Sequence, residues 1–130
     1  DKIYVHFETK ENINEVRNYI IQRNKDFGIA LTLDTNPKKI INILKRSSGL
    51  LILGVKNPGF SGQSFNNKAF DYIDYFNRLY FRKKFRLCID GGVNKEIARV
   101  LEVDDLVSNS YILASNNPAV EIDDMKNSGF

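Results

Sequence analysis

Asp90 stands directly before Gly91 and Gly92 and directly after the run Phe85-Arg86-Leu87-Cys88-Ile89. A carboxylate at the end of a buried strand can transfer a proton or hold a metal ion. Two successive glycines let the backbone approach a bound group closely, and that group is often a phosphate. A second stretch rich in turn residues, NPGFSGQSF, runs over residues 57–65 and carries Gly59 and Gly62. Both stretches make chemical sense only if the fold brings them to the same place.

The elements that must do so alternate along the chain. Residues 3–7 read as a strand, and 13–22 as a helix with Ile13, Val16 and Ile20 on one face. Gly28 precedes a second strand over 29–33. Asn36 and Pro37 cap and open a helix that runs through Leu44. A third strand covers 50–55, and the helix after it carries Phe70, Ile73 and Phe76. The fourth strand spans 85–89 with a helix at 94–101, the fifth spans 106–108, and a last helix runs from Pro118 to about Lys126. Five βα repeats imply parallel strands covered by helices. Function in such folds collects in the loops after the strands' carboxyl ends, here 8–12, 34–36, 56–66, 90–94 and 109–117. Period-two sorting of the fourth strand puts Phe85, Leu87 and Ile89 on one face and Arg86, Cys88 and Asp90 on the other. The apolar set suits helix packing, so the mixed face points inward, which in a closed barrel would aim Asp90 into the mouth.

Composition sets the limits. The 130 residues suffice for one domain, residues 1–130, and are too few for two. A 42% hydrophobic content can build a core, and a net charge of +3 is too mild to imply nucleic acid. The single cysteine, Cys88, rules out an internal disulfide and fits a reducing, cytoplasmic setting. No apolar run approaches the roughly 18 residues that a membrane span needs. The chain begins at Asp1 and enters a strand almost at once, so an upstream portion is expected.

Three motifs together resemble the ribulose-phosphate 3-epimerase family of (β/α)8 barrels. NPGFSGQSF is similar to the family's loop after the sixth strand, IDGGVN (89–94) to the end of the seventh, and DDLVSNSYIL (104–113) to the eighth. VHFET (5–9) and GIAL (28–31) add weaker likeness to the fourth and fifth strands. The resemblance thus implies an α/β TIM barrel of which this chain supplies about five βα units, the fourth to the eighth strands. It also implies an epimerase that inverts C3 of a ketose phosphate, interconverting ribulose 5-phosphate and xylulose 5-phosphate. Two aspartates would act as acid and base, with a divalent metal, zinc or iron, stabilising the enediolate. Asp90 matches the second aspartate, as catalytic group and metal ligand. Gly91, Gly92, Asn109 and Ser110 would bind the substrate phosphate, and Gly59, Phe60, Ser61 and Gly62 would form a flap over the substrate. Alternatives are the allulose-6-phosphate 3-epimerase branch and a non-catalytic phosphosugar-binding barrel. The full-length protein is expected to be a homo-oligomer that binds neither nucleic acid nor membrane.

The sequence also departs from the family pattern. The first aspartate and both metal histidines belong to strands that this chain does not contain, and His6 matches a position outside the metal site. Asn109 replaces a glycine of the phosphate cup, Gly54 stands where methionine is frequent, and Cys88 where an acid is frequent. TLDTNP (32–37) keeps only Thr35 of the family's turn. The basic cluster Arg78, Arg82, Lys83, Lys84 and Arg86 reads as a solvated helix end and loop, and Cys88 as an inert interior thiol. The aromatic run from Phe70 to Phe81 reads as mostly core packing, part of it available for subunit contact.

Overall fold

The computed structural model describes residues 1–55, 64–108 and 110–127. Five strands, β1 (Lys2–His6), β2 (Asp26–Leu31), β3 (Gly49–Leu53), β4 (Arg86–Asp90) and β5 (Asp105–Val107), form one sheet in the order β1-β2-β3-β4-β5. Every pairing is parallel. Right-handed crossovers in strict sequence order all fall on one side of the sheet. That is how a barrel wall winds, whereas a doubly wound sheet reverses its strand order.

The helices are α1 (Ile13–Gln22), α2 (Ile41–Leu44), α3 (Lys68–Asn77), α4 (Lys95–Val100), α5 (Ser110–Leu113) and α6 (Pro118–Lys126). Asparagine starts several of them. The Asn12 side chain accepts the N–H groups of Asn14 and Glu15, and the Asn94 side chain accepts that of Ile97. Asn36 likewise accepts from Lys38, with Pro37 opening a 3-10 turn (Pro37–Ile40) that leads into α2.

Alternation along the strands divides the sheet. Phe27, Ile29, Leu31, Leu50, Ile52, Leu87 and Ile89 are almost wholly buried and share one core with Ile40, Leu44, Ile73 and Phe76 from the helical layer. Each such side chain contributes about 1.5–3 kcal/mol over its exposed state. The opposite face holds Tyr4, Gly28, Gly49, Cys88 and Asp90. Tyr4 lies across two neighbouring strands. A Cβ at Gly28 would sit 2.6 Å from its ring, and one at Gly49 2.8 Å from its hydroxyl. Burial, with Cys88 and Asp105 nearby, pushes the Tyr4 hydroxyl up to about 12.

Most element boundaries shift by one to three residues from the sequence reading. β3 ends at Leu53 instead of residue 55, and the helix expected from Pro37 opens as a 3-10 turn. Three differences have a local cause. β2 begins three residues earlier, at Asp26, because Gly28 pairs with Tyr4 and Gly49 in the sheet. β4 ends on Asp90 itself, which pairs with Leu53 and Val107. The segment expected as a loop at 109–117 contains the short helix α5. Four residues are too few for a helical period to appear in the sequence.

Candidate active site

Asp90 reaches the carboxyl edge of the sheet as the last residue of β4, with its neighbour Cys88 buried on the same face. Burial raises the Asp90 carboxyl above its ordinary value, and the Gly91 N–H pulls it only partly back. Burial, with Asp105 and Asp90 adding negative charge, pushes the Cys88 thiol up to about 11, so it stays protonated and inert as expected.

The backbone then turns through two left-handed residues, Gly91 at φ 106° and Gly92 at φ 70°. At Gly91 conformation and space both require glycine, because a Cβ there would stand 2.8 Å from Val55 Cγ1. The turn is held from both sides. The Asp90 carbonyl accepts the Gly54 N–H at 2.6 Å, and the Ser108 hydroxyl donates to the Val93 carbonyl at 2.8 Å. The second bond ties the residue that follows the glycine turn to Ser108, just past the end of β5. Gly54 is itself confined: a Cβ would meet the Phe65 ring at 2.9 Å and Ile89 Cδ1 at 3.2 Å.

The other end of the mouth carries a group that the sequence placed only in a loop. Glu8 Oε1 accepts the Thr32 N–H (2.8 Å), the Thr32 hydroxyl (2.7 Å) and the Thr35 hydroxyl (2.8 Å). Against the burial that would raise it, these donors hold the Glu8 carboxyl below its ordinary value. The next turn is fixed from α3, where Lys68 Nζ donates to the Leu33 carbonyl at 2.6 Å. The Tyr72 hydroxyl lies 3.0 Å from that carbonyl and 2.6 Å from that of Thr35. A carboxylate two residues beyond one strand, opposite a Thr-x-x-Thr spacing at the end of the next, is the one signal that could have flagged this network. His6 lies at the exposed end of β1, where its backbone pairs with Ala30.

The model of the ribulose-phosphate 3-epimerase family matches residues 1–113. The chain belongs to that family. A ribulose-phosphate 3-epimerase of Chlamydia trachomatis is 30% identical over 124 residues, covering 90% of this chain and 53% of that protein. One of Helicobacter pylori is 32% identical over 133 residues, covering 96% of this chain and 59% of that protein. The chain therefore spans a little over half the length of these curated relatives. The crystal structure of 3-hexulose-6-phosphate synthase from Salmonella typhimurium superposes with a TM-score of 0.71 at 14% identity, covering 98% of this chain and 61% of that one. That likeness concerns the fold, a TIM barrel, and this member of the epimerase family supplies five βα units of one.

Of the residues that the resemblance pointed to, Asp90, Gly91 and Gly92 meet at one turn, and Ser110 opens α5 close after β5. Gly59, Phe60, Ser61, Gly62 and Asn109 lie outside the described residues. Among the described residues, no three His, Cys, Asp or Glu side chains gather into a group that could hold a metal ion. Nor is any helix long and apolar enough to cross a membrane.

Proposed function

We propose that the protein carrying this chain inverts C3 of a ketose phosphate, interconverting ribulose 5-phosphate and xylulose 5-phosphate, with Asp90 as one of two acid/base groups. Family membership over residues 1–113 carries this reading. Asp90 on one face of the sugar removes the C3 proton, leaving an enediolate, and a second group returns a proton to the opposite face. A carboxyl whose affinity for protons is raised by burial is closer to the operating pH than an exposed aspartate, which favours transfer in both directions. Gly91 and Gly92 present backbone N–H groups to the substrate phosphate together with Asn109 and Ser110, while residues 59–62 close over the sugar and exclude water.

A divalent cation, zinc or iron, belongs to the proposal as the charge that stabilises an enediolate when bound. Asp90 can offer one ligand. The remaining ligands have no counterpart grouped with it among the described residues, so the chemical step assigned to this chain is proton transfer at Asp90.

The test joins this chain to the amino-terminal βα units of the Helicobacter pylori relative and follows exchange of the C3 proton of ribulose 5-phosphate into deuterated solvent. The isolated chain should not catalyse exchange, because β1 and β5 each leave one strand edge unpaired among the described residues. The joined protein should, and Asp90→Asn should lower its turnover about 10²–10⁴-fold while leaving phosphate affinity largely intact. Unchanged turnover in that variant would remove Asp90 from the chemistry.

A further inference from the structure

The end of the sheet opposite Asp90 carries a second concave feature. A groove of about 470 Å³ opens where β4 begins, lined by Ser48, Arg82, Lys83, Lys84, Arg86 and Asp104 among others. Arg86 and Asp90 are the two ends of β4, so roughly 13 Å of strand separates the groove from the mouth. Four cations and one carboxylate line it, in a chain whose net charge is only +3.

The arginines are built into place. Arg82 donates to Asn77 Oδ1 (2.7 Å), the Phe85 carbonyl (3.0 Å) and Asp104 Oδ2 (2.9 Å). Asp104 in turn accepts the Leu87 N–H at 2.8 Å. Arg86 grips Asp105 through two bonds of 2.7 Å. Nearby Lys45 is occupied differently, 5.6 Å from the Tyr80 ring centre and 5.8 Å from that of Phe81. Lys83 and Lys84 remain. Both are exposed, both belong to the short 3-10 turn Arg82–Lys84, and neither has an ion pair or side-chain hydrogen bond among the described residues. A turn anchored by Arg82 thus holds two free ammonium groups at the rim of a positive groove, where anion binding costs little reorganisation.

We infer that this groove is a binding site for a small polyanion, a polyphosphate chain or a compound bearing two or three linked phosphates, separate from the substrate phosphate site. Its volume accommodates a triphosphate, and with Arg82 and Arg86 paired to Asp104 and Asp105 its net positive charge comes from Lys83 and Lys84. Salt should weaken the binding, since the lysines are exposed.

The probe is inorganic tripolyphosphate, titrated into the 130-residue chain at low and at physiological ionic strength while amide shifts are followed by NMR. We expect saturable shifts at Ser48, Asn77 and residues 82–86. Affinity should fall about tenfold when Lys83→Ser and Lys84→Ser are combined, and should hardly change on replacing Lys95, which lies beside the glycine turn. Both lysines are exposed, and far-UV circular dichroism checks that the double variant keeps its fold. Shifts confined to Gly91, Gly92 and their neighbours would overturn the inference, as would linear, non-saturating shifts or a double variant that binds as the parent does. Loss of groove shifts alone leaves the phosphate-cup reading untouched, so the two proposals fail separately.

Discussion

Glu8 and Asp90 stand at the same edge of one parallel sheet, Glu8 just beyond β1 and Asp90 at the end of β4, and their surroundings act on them in opposite directions. Glu8 takes three hydrogen bonds on one oxygen and is held ionised. Asp90 has the Gly91 N–H, a partly buried site and a raised proton affinity. A carboxylate that closes a network cannot give up its charge without breaking that network, so Glu8 suits construction. A carboxylate left under-bonded in a poorly solvated place can exchange a proton at low cost, so Asp90 suits chemistry. Position in the fold is shared by both residues, and hydrogen bonding separates their roles.

The comparison is sharpest in turnover of the joined, complete barrel. Asp90→Asn should cost the factor of about 10²–10⁴ expected of a lost acid/base group, whereas Glu8→Gln, which can still accept from both threonines, should stay within about tenfold. Equal losses would end the distinction. Next in size is Gly91→Ala, which forces a side chain into φ 106° and against Val55. It should destabilise the chain by about 1–3 kcal/mol in chemical denaturation, and a change too small to measure would show that the turn relaxes freely.

Glu8→Ala should cost about 1–2 kcal/mol at pH 7, by stranding the donors of Thr32 and Thr35. Because the folded carboxyl lies below its ordinary value of 4.5, its contribution is present above that pH and is lost as pH falls through the folded value. Parent and variant should therefore converge in acid, and a constant gap would mean that charge plays no part. The smallest effect runs the other way. The Asp90 carboxyl lies above its ordinary 3.8, so its protonated form is the one that the fold prefers, and its ionisation costs stability as pH rises through that value. Asp90→Asn should thus raise the unfolding free energy slightly at pH 7, by less than about 1 kcal/mol given its contact with water. That gain should shrink as pH falls through the raised value and vanish below 3.8, and a variant less stable than its parent at neutral pH would contradict the account of Asp90.

Much of this was readable in the residues because the determining signals are local. Period-two alternation in Arg86–Asp90 assigns Asp90 to the inner face, and the double glycine marks a left-handed turn wherever it occurs. The early start of β2 was not readable, since Asp26 and Gly28 look like turn residues until Tyr4 is placed above them. The Glu8 network depends on donors 24 and 27 positions away, a separation that only the parallel register resolves. The helix α5 is hidden by its length, and its Ser-Tyr-Ile-Leu run would pass equally well for an extended segment.

The tyrosine lying over Gly28 and Gly49 makes three positions on three strands into one unit of inheritance. With the ring in place, neither glycine can gain a methyl group without displacing it. If the ring were lost first, the space beneath it would become tolerant of alanine or serine, and once filled it would bar the ring's return. Substitutions at residues 4, 28 and 49 should therefore be accepted in a fixed order and reversed only in the opposite one, so this part of the barrel wall keeps a record of the path by which its sequence changed.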